Sequence, residues 1–196
     1  MTIIYVHGAL ASKRSWDYVH KKVRTLVRRV PTEIFFEYDL KIVQSEEIVD
    51  ALVKVINSTP DDVTLVGHSY GGVLGVAAAR KVTEKSIKLI TLAAPFAGIK
   101  LTLPIFNVES TFFKNISSKN EFMKNVKSNG LACRTISFIT NKSSSEWLLG
   151  ENDGVITRRS QCFFQNDPMS ELINIEANHF EILTSDQVVN KLIEVM

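Results

Sequence analysis

Short runs of β-forming apolar residues alternate along this chain with stretches whose apolar positions recur every three or four residues. The runs Thr2-Ile3-Ile4-Tyr5-Val6, Ile34-Phe35-Phe36-Glu37-Tyr38, Val63-Thr64-Leu65-Val66, Ile87 to Leu92, Arg134 to Thr140 and Leu172-Ile173-Asn174-Ile175 predict six strands. The first is apolar throughout rather than every second residue, as in a parallel strand covered on both faces. The helical stretches fall between them. One runs from about 15 to 29, with Trp16, Val19, Val23, Leu26 and Val27 on one side. A second begins near Ser45, with Glu46 and Glu47 in its first turn and Ile48, Leu52, Val55 and Ile56 facing inward. A small-residue helix covers Val73 to Ala79, and a polar one about 118 to 126. The last starts near Thr184, where Thr184 and Gln187 form a capping box and Val188, Val189, Leu192 and Ile193 turn inward.

Strand–helix alternation at this pace predicts right-handed crossovers and a mostly parallel sheet of about six strands in a three-layer α/β/α sandwich. A length of 196 residues fits one domain over 1–196. The alternation breaks from 95 to 130, where Phe96, Leu101, Leu103, Ile105, Phe106, Phe112 and Phe113 gather. That insertion after the fourth strand reads equally as a lid or acyl-pocket wall and as a longer crossover whose aromatics fill core.

Composition narrows the picture. A net charge of +2 gives no reason to expect a nucleic-acid partner. The cationic residues cluster in one place, Lys13, Arg14, Lys21, Lys22, Arg24, Arg28 and Arg29. A solvated helix face explains them best, with an anionic membrane surface or acidic substrate as the other reading. Two cysteines, Cys133 and Cys162, form no disulfide framework and are expected as buried free thiols. No apolar run approaches the roughly 20 residues that span a bilayer. With the first strand beginning at Thr2, a cytoplasmic location is expected.

The chemistry concentrates in Gly67-His68-Ser69-Tyr70-Gly71, between the third strand and a helix. Glycines two positions either side of the serine let strand and helix approach, and the tight turn lifts the hydroxyl above the sheet. The amide of Tyr70 then sits at a helix start, where anions are favoured. The amide of Ala9, after His7-Gly8, supplies a second donor to an oxyanion if the loop folds back towards Ser69. A serine needs a base, and that base needs a group fixing its tautomer. Of the four histidines, His7 is in a strand-end loop, His20 in the basic helix and His68 inside the serine turn. His179 follows the last strand and precedes the final helix, where a base is wanted. For the third member Asp153, in an Asn-Asp-Gly turn, is chosen; Glu151, Asp167 and Glu176 are its rivals.

The order Ser, Asp, His, with Val6-His7-Gly8, the serine turn, Asn152-Asp153-Gly154-Val155 and Asn178-His179-Phe180, resembles an α/β-hydrolase of the lipase and esterase type. More narrowly it is similar to small bacterial lipases with a minimal six-stranded sheet. The resemblance implies Ser69 as nucleophile, His179 as base, Asp153 as acid and the Ala9 and Tyr70 amides as oxyanion hole. It implies hydrolysis of a small-molecule ester or lipid through an acyl-enzyme. Thioester hydrolysis or acyl transfer would use the same residues, and a non-catalytic binding protein is the remaining alternative. The sequence holds no metal-ligand cluster and no phosphate-binding glycine loop, so no cofactor and no metal are expected.

Overall fold

A computed structural model describes residues 1–99, 115–143, 148 and 150–195 of the chain. Six strands form one sheet, β1 (Thr2–Val6), β2 (Thr32–Phe36), β3 (Val63–His68), β4 (Ile87–Leu92), β5 (Thr135–Thr140) and β6 (Ser170–Ile175). Their order is β2-β1-β3-β4-β5-β6 and every neighbouring pair is parallel. Strand order reverses beside β1, and the strands' carboxyl ends there open the crevice in which ligands of such sheets bind.

Alternation of side chains splits the core in two. Ile4, Val6, Leu65 and Leu89 face one layer, under helices α2 (Ser45–Ser58), α3 (Tyr70–Lys81) and α4 (Glu121–Ser128). Ile3, Tyr5, Val66, Ile90, Leu92, Ile136 and Phe138 face the other, packed with Trp16, Val19 and Val23 and with Val188, Val189 and Leu192. Those belong to a 3-10 turn (Lys13–Trp16), α1 (Asp17–Leu26) and α6 (Asp186–Val195). A one-turn helix, α5 (Arg158–Gln161), lies between β5 and β6 in sequence.

Several boundaries differ from the sequence expectation. The first helix ends at Leu26 instead of near Arg29, because Val27 turns extended after its amide bonds the Val23 carbonyl. Leu26 is left 53% exposed rather than inward. The second strand stops at Phe36, since Tyr38 folds over β1 and bonds His7 through both its amide and its hydroxyl. The expected capping box at Thr184 and Gln187 is absent. Thr184 instead bonds back to Glu181 in a 3-10 turn, and the helix begins at Asp186. Both cysteines are free but half-buried rather than buried.

Of the 95–130 insertion, Leu101, Leu103, Ile105, Phe106, Phe112 and Phe113 lie outside the described residues. Apolar residues of its described ends join the core, and Pro95, Ile99 and Ile116 also line a cavity at Ser69. Phe96 packs edge-on against Phe164, and Ile116, Phe122, Met123 and Val126 join the layer under α3. The basic cluster is partly paired, Lys13 with Glu37, Lys22 with Asp186 and Arg24 with Glu33.

Candidate active site

Ser69 sits between β3 and α3 with φ 51 and ψ −123, a left-handed backbone that costs a non-glycine residue energy. Packing holds it there. The Ser69 amide donates to the Leu92 carbonyl at 2.8 Å. A Cβ on Gly67 would meet the Gly71 backbone at 2.6 Å, and one on Gly71 would meet the Val6 carbonyl oxygen at 2.3 Å. Only glycine fits at either place, so the two glycines let α3 start directly against β1 and β3. Tyr70 opens α3, where backbone N–H groups have no partner within the helix. Its ring points away into the core, and its hydroxyl bonds Ser45 at 2.7 Å and the Asn115 carbonyl at 3.2 Å.

His179 leaves the end of β6 on a loop braced by Asn178, whose side chain accepts the amides of Phe180 and Glu181, both at 2.9 Å. Its Nε2 lies 3.0 Å from Ser69 Oγ and its Nδ1 2.8 Å from Asp153 Oδ2. A carboxylate accepts, so Nδ1 carries the proton and Nε2 is bare towards the serine hydroxyl. Ser69 is 9% exposed, His179 3% and Asp153 1%, which grades the three from reachable to sealed.

Asp153 is buried with its charge heavily bonded. Oδ1 accepts the amides of Val155 and Ile156 at 3.0 and 2.7 Å. Oδ2 accepts Thr140 Oγ1 at 2.6 Å and Gln161 Nε2 at 3.2 Å besides His179. Burial alone would raise its pKa. Donation from His179, then from Thr140 and the Ile156 amide, outweighs that and leaves it below the ordinary carboxylate value. The Asp153 carbonyl also accepts the His179 amide at 3.0 Å.

Ser69, Tyr70, His179, Gly8 and Ala9 line one cavity of about 410 Å³, closed by Leu10, Pro95, Ile99, Ile116, Val155, Phe180 and Leu183. The wall away from the polar centre is apolar. Leu10 and Phe180 stand at 61% and 67% exposure beside it. A larger groove of about 910 Å³ shares Ile99 and Val155 but contains neither Ser69 nor His179.

The other sequence candidates lie elsewhere. Glu151 is exposed, 3.5 Å from Arg158; Asp167 bonds the amides of Leu131 and Met169; Glu176 is exposed. His7 is buried and stacked on Tyr38, and His20 faces Glu33 at 3.0 Å. The sequence pattern does not single out Thr140 and Gln161, which hold Asp153, and places His68 only inside the serine turn. Thr140 ends β5 and Gln161 ends α5, and nothing in the pattern signals that they meet.

A family model described as the alpha/beta hydrolase family matches residues 3–125, more than half of the chain. The chain belongs to the α/β hydrolase family. Solved structures agree on the fold. One of the metagenome-derived lipolytic enzymes LipS and LipT superposes with a TM-score of 0.73 at 13% identity, over 99% of this chain and 92% of that one. A hydrolase from Oleispira antarctica gives 0.72 at 14% identity, over 99% and 90%. Bacillus licheniformis lipase BlEst2 gives 0.70 at 16% identity, over 99% and 91%. No curated protein sequence matches the chain. Among the described residues, no helix of this α/β hydrolase is long and apolar enough to cross a membrane.

Proposed function

We propose that this α/β hydrolase is a serine hydrolase of carboxylic esters, working through Ser69, His179 and Asp153. The observation that carries the reading is the pair of contacts made by one imidazole, 3.0 Å to Ser69 Oγ and 2.8 Å to Asp153 Oδ2. Ser69 attacks the ester carbonyl as Nε2 of His179 takes its proton, and Asp153 stabilises the imidazolium. The oxyanion is received by the amides of Tyr70 and Ala9, each worth about 3 kcal/mol or more of barrier if removed. The alcohol leaves with the proton from His179. Water, deprotonated by the same nitrogen, then releases the acid.

The apolar wall formed by Ile99, Ile116, Val155 and Leu183 supports an apolar group on the substrate. The lipolytic names of two structural neighbours favour an ester over other acyl bonds. The test is hydrolysis of p-nitrophenyl esters across acyl lengths, with Ser69→Ala beside the wild type. Turnover that rises with acyl length and vanishes in the variant is expected. Labelling of Ser69 by a fluorophosphonate without ester turnover would move the assignment to thioester hydrolysis or acyl transfer. Neither turnover nor labelling would remove the catalytic reading.

A further inference from the structure

We propose that His68 is a positioning residue that ties the loop carrying the base to the strand end carrying the nucleophile. The proposal rests on Ser69 and His179 acting as nucleophile and base. His68 is the last residue of β3, directly before Ser69, and its ring is 3% exposed. Its Nε2 lies 2.9 Å from the backbone carbonyl oxygen of His179. A carbonyl only accepts, so Nε2 is the protonated nitrogen and Nδ1 is bare.

Nδ1 is buried and has no hydrogen-bond partner among the described residues. It faces Gly8, where a Cβ would come within 3.0 Å of it. The ring is therefore held for what Nε2 does. Burial, reinforced by the neighbouring imidazole of His179, lowers the pKa of His68 to about 3. The side chain is then neutral wherever an ester hydrolase would work, with its one proton on the carbonyl.

The bonds of His179 show why this contact matters. Its amide and its Nδ1 both go to Asp153, at 3.0 and 2.8 Å. Asn178 braces the loop beyond it, while these two contacts anchor His179 itself on the side of Asp153. The bond from His68 is the third fixed point, and it comes from the residue joined to Ser69. It therefore helps fix the distance between Nε2 of His179 and Ser69 Oγ, the separation across which the proton moves.

The matched variants are His68→Gln and His68→Asn. The glutamine amide nitrogen reaches about as far from the backbone as Nε2 does, whereas that of asparagine reaches only as far as Nδ1. Two rates are read, kcat on a p-nitrophenyl ester and fluorophosphonate labelling of Ser69, alongside the melting temperature. His68→Gln should retain most of both rates. His68→Asn should lose roughly 10- to 100-fold in both with KM close to wild type, the size expected of a misplacement of about 1 Å.

Equal rates for the two variants would overturn the proposal, as would a change confined to KM. Labelling reads Ser69 directly, so a wild type that is labelled but cleaves no ester sinks the ester reading while the Gln–Asn comparison still decides the role of His68. A wild type that reacts with neither overturns both.

Discussion

Replacing Asp153 by Asn is the sharpest probe of the site, because the bonds around the carboxylate dictate how the amide must sit. Oδ1 accepts two backbone amides, at 3.0 and 2.7 Å, and these cannot rotate away. The amide oxygen of Asn must therefore take the Oδ1 position and its NH2 the Oδ2 position, facing His179. A donor there forces Nδ1 of His179 to become the acceptor and moves the ring proton to Nε2. That proton then points at Ser69 Oγ, 3.0 Å away, where a bare lone pair is needed. The base is lost although its ring has not moved. Such a tautomer error costs about 10⁴ in kcat, equivalent to about 5.5 kcal/mol of barrier at 1.36 kcal/mol per tenfold. The assay is kcat on the best p-nitrophenyl ester near neutral pH, with circular dichroism to show that the variant is folded. A folded Asp153→Asn enzyme within about tenfold of wild type would refute the argument, since a loss that small is only about 1.4 kcal/mol.

Other consequences are smaller in scope. Gly71→Ala puts a Cβ 2.3 Å from the Val6 carbonyl oxygen and 2.5 Å from that of His7. Backbone clashes exceed ordinary overpacking of about 1–3 kcal/mol, so calorimetry should show a melting point lower by roughly 6 °C or more. Tyr70→Phe removes the hydroxyl shared with Ser45 and the Asn115 carbonyl in a buried network. The urea midpoint should fall by the equivalent of about 1–3 kcal/mol. Acid titration of stability should show two windows. His68, lowered by burial, is neutral in the fold but protonates in the unfolded chain, so stability declines as pH falls from about 6.5 to about 3. His7, also lowered by burial, adds in the same direction. Asp153, whose folded pKa is lowered, adds stability above the unfolded value of about 3.9 that is lost as pH falls through its folded value. His68→Gln should make the upper window shallower, leaving the share of His7, and leave the lower one unchanged.

The middle of the sheet was legible because its strands are largely apolar on both faces, whereas the edge strands β2 and β6 are half-buried. Thr2 to Val6 and Ile87 to Leu92 need no tertiary knowledge to be read as buried. The ends of elements were harder, because they depend on which bonds compete. Tyr38 has the character of a strand residue, yet the ring and the carbonyl of His7 capture it. Leu26 fits the helical stripe, yet the helix stops there and leaves it 53% exposed. At the candidate site, the reading rested on residues whose type announces chemistry and whose place in the chain order narrows the choice. Ser69, His179 and Asp153 are such residues, and the structure brings Ser69 and Asp153 each within hydrogen-bond distance of the His179 ring. Glu151, two residues from Asp153, could not be set aside from sequence alone. What separates them is the pair of amides at Val155 and Ile156 that point at one carboxylate and not the other. Thr140, Gln161 and His68 stayed hidden because their parts are defined by partners on other segments, Asp153 13 and 8 residues away and His179 111 residues away.

Ser69 and His179 are 110 residues apart, and this distance has a meaning in time. A ribosome adding about 5–20 residues per second leaves roughly 5–20 s between the emergence of the two. The nucleophile's turn can form early, since β1, β3 and α3 all lie in the first half of the chain. In the proposed mechanism its reactivity cannot, because the group that would activate it arrives behind β6, the edge strand made last. The growing polypeptide thus carries an unarmed serine through most of its synthesis. Arrested nascent chains that stop before residue 179 should ignore a fluorophosphonate that labels the released protein.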